Sequence, residues 1–345
     1  MTATSPNWPV VGHEMAVELL ARAVRSGQIA HAYLFAGPEG VGRRTLARIF
    51  TQALLCTAAP ASRPCGTCSA CRRVARGIHP DVSTVSLENQ AADDTRNRKN
   101  TRISIETIRE LRASIALRPL EADWRVAVIE DVDLLSRDAF DALLKTLEEP
   151  PPFVILVLIA TEQDAVPDTI RSRCHPIVLE PLPRQAVARV LEERGVDAAE
   201  AAVVASITRG RLGHALVLAG DQGALTARRV ALDGAIEMLE RPLSALGSAR
   251  RMADAYRRGQ RAQVEQQLDV LVGVWRDVLL IAGGYPDGIV NADVRERVAA
   301  LAGRWSVREI QRGLAATHEA LLDLAANAQP RLVLDAMVTQ WPRTR

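Results

Sequence analysis

No stretch of this chain approaches the ~20 consecutive apolar residues that a membrane-spanning helix needs, and Met1 to Val10 lacks a signal-peptide pattern. A cytoplasmic location is the expectation. A dominant charge is also missing. The net charge is +2, so no global basic field announces a nucleic-acid binder, and any DNA contact must be local. Aromatic residues make up 3% of the chain. The late ones, Trp275 among them, fall on helical apolar stripes and read as core, not as a stacking platform. Cysteine is scarce, at five residues, yet four of them share one window. Beyond Pro181 and Pro183 strand-like runs are lacking as well, and helical periodicity takes over.

What is present has the balance of a soluble globular protein, 48% hydrophobic and 24% charged over 345 residues. That length predicts two or three domains with ample core. Near the start, Val17, Leu19, Leu20, Ala23 and Val24 recur at helical spacing up to Gly27. The apolar run Ala32–Ala36 leads into Gly37-Pro-Glu-Gly-Val-Gly-Arg-Arg-Thr45, and Leu46, Ile49, Phe50, Ala53 and Leu54 then form a helical face. Strand, glycine loop, helix is the context of a phosphate-binding loop, whose pattern is G-x-x-x-x-G-K-[ST].

Gly37, Gly40 and Gly42 keep the turn. Arg43 stands where the pattern has lysine, and Arg44 where it has the Mg²⁺-binding hydroxyl, with Thr45 one residue late. A guanidinium is a planar fork and not a compact ammonium, and Arg44 cannot ligand a cation. The loop reads as a nucleotide-fold relic that does not hydrolyse; whether ATP or ADP rests there without turnover stays open. The alternative is a plain glycine-rich turn.

Two further buried strands are expected, over Arg125–Ile129 and Phe153–Ala160, with the near-continuous apolar character of a parallel sheet covered on both faces. Between them Ala139, Phe140, Leu143, Leu144 and Leu147 make a helical stripe stopped by Pro150–Pro152. Residues 88–102, rich in charge and nearly devoid of apolar side chains, predict a solvated loop. In the carboxyl-terminal part Val264, Leu268, Leu271, Trp275 and Val278 form one stripe, and Ser306-Val-Arg-Glu309 is a capping-box pattern opening another helix.

Cys56, Cys65, Cys68 and Cys71 follow C-x8-C-x2-C-x2-C. Close C-x2-C spacing lets a turn aim two thiolates at one ion, and four sulfurs complete the closed tetrahedral shell of a structural zinc site. No open coordination position with a neighbouring base is in view, so the expected metal is structural. His79-Pro80-Asp81 lies past the quartet and reads as a turn. The second strand ends Ile129-Glu-Asp-Val-Asp133. A loop-type ATPase there uses an aspartate for Mg²⁺, followed by a glutamate that acts on the attacking water; Glu130 and Asp131 reverse that order. Finally, Ser172-Arg173-Cys174 follows the third strand. An arginine there either reaches out of its own subunit to a neighbour's phosphoryl group, an effect of ~10³–10⁵ in rate, or forms a local ion pair.

Together these residues resemble the bacterial clamp-loader branch of the AAA+ ATPases. The resemblance is carried by His31 to Gly42, the cysteine quartet, His79-Pro-Asp81, Leu143-Leu-Lys-Thr-Leu-Glu-Glu-Pro-Pro151, Ser172-Arg-Cys174 and Asn327-Ala-Gln-Pro-Arg-Leu332. It implies an α/β AAA+ nucleotide-fold domain over 1–180, with helices on both faces of a parallel sheet and an inserted zinc module at 56–71. An α-helical lid (181–225) and an α-helical collar bundle (226–345) would follow. It further implies Arg173 as a trans arginine finger on a tau/gamma ATP site. The implied partners are tau/gamma and delta subunits, with the sliding clamp and primed-template DNA met through the complex, in nucleoid-associated replication machinery. The family's lid usually presents an arginine to its own nucleotide; Gly213 and His214 stand near that position here, beside Arg211, and the role is not carried over. A working tau/gamma-type motor would have Lys and Ser/Thr at 43 and 44. A zinc-dependent DNA-binding scaffold would rely on Arg63, Arg72, Arg73 and Arg76 around the quartet.

Overall fold

The computed structural model describes residues 8–93 and 102–342. The chain divides into two compact units. The first runs to Leu182 and takes in Arg211–His214; the second holds Pro183–Gly210 and everything from Ala215 onward.

The first unit is built on a five-stranded sheet of order β2-β3-β4-β1-β5. The strands are β1 (Ala32–Ala36), β2 (Val82–Val85), β3 (Arg125–Ile129), β4 (Val154–Ala160) and β5 (His175–Val178), all paired in parallel. Every residue of β1, β3 and β4 is buried, as their unbroken apolar character predicts for a sheet covered on both faces. Alternation along β4 assigns the faces. Ile155, Val157 and Ile159 join the core with Tyr33, Phe35 and Phe50, while Leu156, Leu158 and Ala160 join the core with Ile108 and Leu143.

The helices supplying those cores are α1 (Glu14–Ser26), α2 (Arg43–Leu55), α3 (Ser69–Ala75), α4 (Leu87–Asp93), α5 (Ile105–Ile115), α6 (Arg137–Glu148) and the single turn α7 (Asp168–Arg171). Gly27 ends α1 in the left-handed conformation. Ser136 opens α6 by accepting from the Ala139 amide at 3.3 Å. The start of the charged stretch 88–102 is helix α4 and not the expected loop; residues 94–101 of that stretch lie outside the described residues. The Ser86 hydroxyl accepts from Asn89 N at 3.0 Å to open α4, and Gln90 ties it to Arg102 O and Ser104 N.

Register explains how a site forms. Ala36 pairs with Ala160, and Leu158 pairs with Ile129, so β1, β4 and β3 end side by side. The glycine loop after β1, the acidic stretch after β3 and Thr161 after β4 therefore gather at the carboxyl edge of the sheet, the usual ligand edge of open α/β sheets.

Described strands are absent from the second unit. It comprises α8 (Arg184–Glu192), α9 (Ala198–Thr208), the body of α10 (Leu212–Ala219), α11 (Gln222–Glu240), α12 (Pro242–Arg257), α13 (Arg261–Ala282), α14 (Arg295–Ala302), α15 (Val307–Ala325) and α16 (Pro330–Gln340). Residue 225 lies inside α11. One core spans α11 to Trp341. At its centre Trp275 is fully buried, with Trp305 at 5.3 Å and Trp341 at 5.9 Å between ring centroids. The Ser306–Glu309 capping box forms as its sequence predicts.

Candidate functional site

The glycine loop approaches its surroundings too closely for side chains. A Cβ on Gly37 would lie 2.4 Å from the Leu179 carbonyl oxygen, and one on Gly40 (φ +78°) would lie 2.6 Å from the His214 ring. Protein donors already hold two loop carbonyls. Gly213 N donates to Gly40 O at 2.7 Å, and His13 Nε2 donates to Val41 O at 3.1 Å.

Arg43 turns inward. Only 6% exposed, it donates through Nη1 to Gly37 O and, at 2.9 Å, to Ala160 O. Burial pushes its pKa down, opposed chiefly by Asp133; a guanidinium starts so high that it remains charged. Its Nη1 bridges the end of β1 to the end of β4, so the side chain in the phosphate-lysine position belongs to the scaffold. Arg44 turns outward onto the acidic stretch, with Nε 3.0 Å from Glu130 Oε2 and Nη2 2.9 Å from Asp131 Oδ1. Burial raises the Glu130 pKa despite that pairing. Asp133 accepts from Thr161 N at 3.0 Å, and its other oxygen has no partner among the described residues.

The chemical consequence is specific. The carboxylates that would hold a divalent cation are instead bridged by Arg44, a monovalent organic cation fixed to the same chain. The cation that would reach β/γ-phosphates is tied to two carbonyls. The amides of Gly42, Arg43 and Arg44 find no acceptor among the described residues, so part of an anion cradle persists.

The cysteine quartet closes on itself. Cys56 ends α2, Cys68 caps α3, and Cys71 lies within α3. The four Sγ atoms all lie within 4.8 Å of one another, and Cys56 and Cys68 are 4.0 Å apart. That is far beyond the ~2.05 Å of a disulfide and near the ~3.8 Å edge of a sulfur tetrahedron with ~2.3 Å metal–sulfur bonds. Amide donors surround the sulfurs. Cys65 N donates to Cys56 Sγ (3.4 Å), Cys68 N to Cys65 Sγ (3.3 Å) and Cys71 N to Cys68 Sγ (3.4 Å). Burial opposes ionisation of Cys68, but the amides of Cys71 and Thr57 bring its pKa down to about 6. The donor set suits a soft, four-coordinate metal ion with thiolate ligands. His79 stands apart from the cluster; its Nδ1 accepts from Asp81 N at 3.1 Å, as a turn would have it.

Sequence reading placed Asp81 in a turn but missed its role. Fully buried, it accepts from the amides of Leu120 (2.6 Å), Glu121 (2.9 Å) and Ala122 (3.1 Å), pinning the turn before β3. Burial alone would raise its pKa; the three amides bring the net shift downward. No local pattern marks such a residue, because its partners are some 40 positions away.

Arg173 sits between α7 and β5. Its Nη1 donates to Thr169 O at 2.8 Å, and its Nη2 lies 2.9 Å from Glu148 Oε1 at the end of α6. The pair is solvent-accessible, at 36% and 51% side-chain exposure. Of the two roles open to this arginine in the sequence, the isolated chain displays the local ion pair, in a position from which an external anion can reach the guanidinium.

Comparison with known proteins adds the following. A family described as "DNA polymerase III, delta subunit" matches residues 12–183. The DNA polymerase III subunit tau of Bacillus subtilis is 34% identical over 215 residues, 61% of this chain and 36% of that protein. Subunit gamma of Buchnera aphidicola is 32% identical over 239 residues, 68% of this chain and 62% of its own. This chain spans about a third of the length of the tau and tau/gamma relatives it matches. Among solved structures, a Thermotoga maritima DNA polymerase III gamma subunit-related protein aligns over 93% of this chain and 97% of its own, at 16% identity and a TM-score of 0.44.

Proposed function

We propose that the chain, whose residues 12–183 match the family described as DNA polymerase III, delta subunit, acts as a non-motor, delta-prime-type subunit of a clamp loader. In this reading it joins tau/gamma and delta subunits, takes part in loading a sliding clamp onto primed DNA, and leaves ATP hydrolysis to a neighbour. The observation that carries the reading is the self-occupied glycine loop. Arg43 is spent on Gly37 O and Ala160 O, and Arg44 on Glu130 and Asp131. A motor needs a mobile lysine and a metal-binding hydroxyl at those two positions. The matched relatives are tau and gamma subunits, and the side chains at 43 and 44 are what separate this chain from a motor role.

Arg173 is the residue through which such a subunit would act on a neighbour. Its exposed guanidinium would exchange the Glu148 carboxylate for the phosphoryl oxygens of a tau/gamma-bound ATP, stabilising charge in the transition state. Glu148 then holds the fork in position until the neighbour docks. The four cysteines would hold a structural zinc ion that fastens the end of α2 to α3. Residues 181–225 would correspond to a lid and residues 226–345 to a collar that assembles the complex.

The test is ATP hydrolysis by the reconstituted complex in the presence of clamp and primed DNA. Arg173→Ala is expected to lower turnover by about 10³-fold while the complex still elutes as one assembly. An unchanged rate would leave Arg173 as half of a surface ion pair and remove the trans role.

A further inference from the structure

Beside the glycine loop, where α2, α3 and β2 meet, lies a cleft of about 460 Å³ that the proposed role leaves unused. Its floor is apolar, made by Ala47, Val74, Val82, Val128 and Ile159. Its polar lining is rich in donors and poor in charge of negative sign. Arg48 and Arg76 are exposed and form no side-chain hydrogen bond or ion pair among the described residues. His79 is 3% exposed, and because its Nδ1 accepts from Asp81 N, a neutral ring carries its proton on Nε2. That N–H has no acceptor among the described residues. Thr45, Thr84 and Asn89 add exposed donors at the rim. A single carboxylate lines the cleft, Glu130, and Arg44 already meets its charge.

Uncommitted guanidinium forks and an imidazole N–H with no acceptor among the described residues call for a ligand with several acceptor oxygens, and phosphate matches the fork bidentately. The apolar floor calls for a flat, weakly polar body. The volume falls in the range of small-molecule sites. We propose that this cleft binds a nucleoside phosphate, with its phosphate on Arg48 and Arg76 and its base over Val82, Val128 and Ile159. The site adjoins the glycine loop and shares Arg44 and Thr45 with it, but its uncommitted cations, Arg48 and Arg76, lie outside the loop, and the proposal stands whether or not the chain works in a clamp loader.

The test is equilibrium dialysis of the full chain against labelled ADP in magnesium-free buffer, beside the double variant Arg48→Ser/Arg76→Ser. Both arginines are exposed, so the variant is expected to keep the native melting temperature. Saturable binding at or below about 1 mM, weakened at least about tenfold in the variant and competed only poorly by inorganic phosphate, is the expected result. Three outcomes would overturn the proposal. One is no saturation by ADP. Another is equal binding by the double variant, which would move the ligand to the glycine-loop amides. The last is arginine-dependent binding of a Glu-rich peptide without binding of ADP, which would make the cleft a peptide dock.

Discussion

At the scale of single residues, Arg43 and Arg44 carry the argument, and they fail differently when changed. Arg43→Ala leaves Gly37 O and Ala160 O without their donor in a buried setting. A loss of about 1–3 kcal/mol is expected, read as a lower urea midpoint at unchanged slope. Arg44→Ser removes the cation that bridges Glu130 and Asp131 and puts a hydroxyl next to them. Mn²⁺ binding, followed by the loss of free-ion signal in electron paramagnetic resonance, should appear in the variant and be weaker in the native chain. Equal binding by both would mean that the guanidinium does not block the acidic pair. Asp81 gives a pH prediction. Its folded pKa is held below the ordinary ~3.9 of an unfolded aspartate. Its contribution is therefore complete above about pH 4 and is lost as pH falls through the folded value. Asp81→Asn should be less stable than the native chain at pH 6, and the difference should shrink at pH 3. A constant difference would show that the carboxylate's charge contributes nothing.

At the scale of elements, the quartet joins the end of α2 to α3, across a 56–71 segment with little apolar core of its own. Four cysteines holding one metal ion there would do what a small hydrophobic core cannot. Cys68→Ser should release bound metal and lower the melting temperature, with assembly through the helical unit largely kept. Retained metal at full stoichiometry would remove Cys68 from the ligand set. The elements that sequence reading found were those with strong periodicity or a clear cap, namely α1, α2, α6, α13, α15 and the buried strands β1, β3 and β4. The strands it missed are the two edges. β2 is half-buried, and its polar Ser83 and Thr84 hide the strand signal. β5 contains Pro176, which is tolerated on an edge but argues against a strand when read alone. Helix α4 was missed because its stability rests on Ser86 and on the reach of Gln90 to Arg102 and Ser104, contacts that a charge-rich stretch does not advertise.

At the scale of the whole molecule, the chain divides close to the proline pair at 181 and 183 into an α/β unit and a helical unit, and each has its own core. Among the described residues no helix is long and apolar enough to cross a membrane. The proposed role distributes accordingly: the α/β unit carries the loop, the cysteines and Arg173, and the helical unit supplies assembly surface. Glu148→Gln tests the coupling of Arg173 to its own subunit. If Glu148 orients the fork, the variant complex should lose turnover at unchanged KM, and Glu148→Asp should restore part of it. An effect on KM alone would make Glu148 a competitor for the arginine and not its support.

Local pattern determined a good deal by itself. The parallel α/β layer, the switch to helices, the capping box and the clustering of four thiols all follow from periodicity and spacing over fewer than twenty residues. The wrong side chains at 43 and 44 were also legible, since a phosphate loop is a contiguous motif. What those arginines do instead was not. Arg43 finds Ala160 across 117 positions, Arg44 finds Asp131 across 87, and Arg173 finds Glu148 across 25. Those pairings exist only because the register of β1, β4 and β3 brings their ends together and because the end of α6 lies beside the turn before β5. Partner choice over such separations is a property of packing, and packing is what the tertiary structure decides.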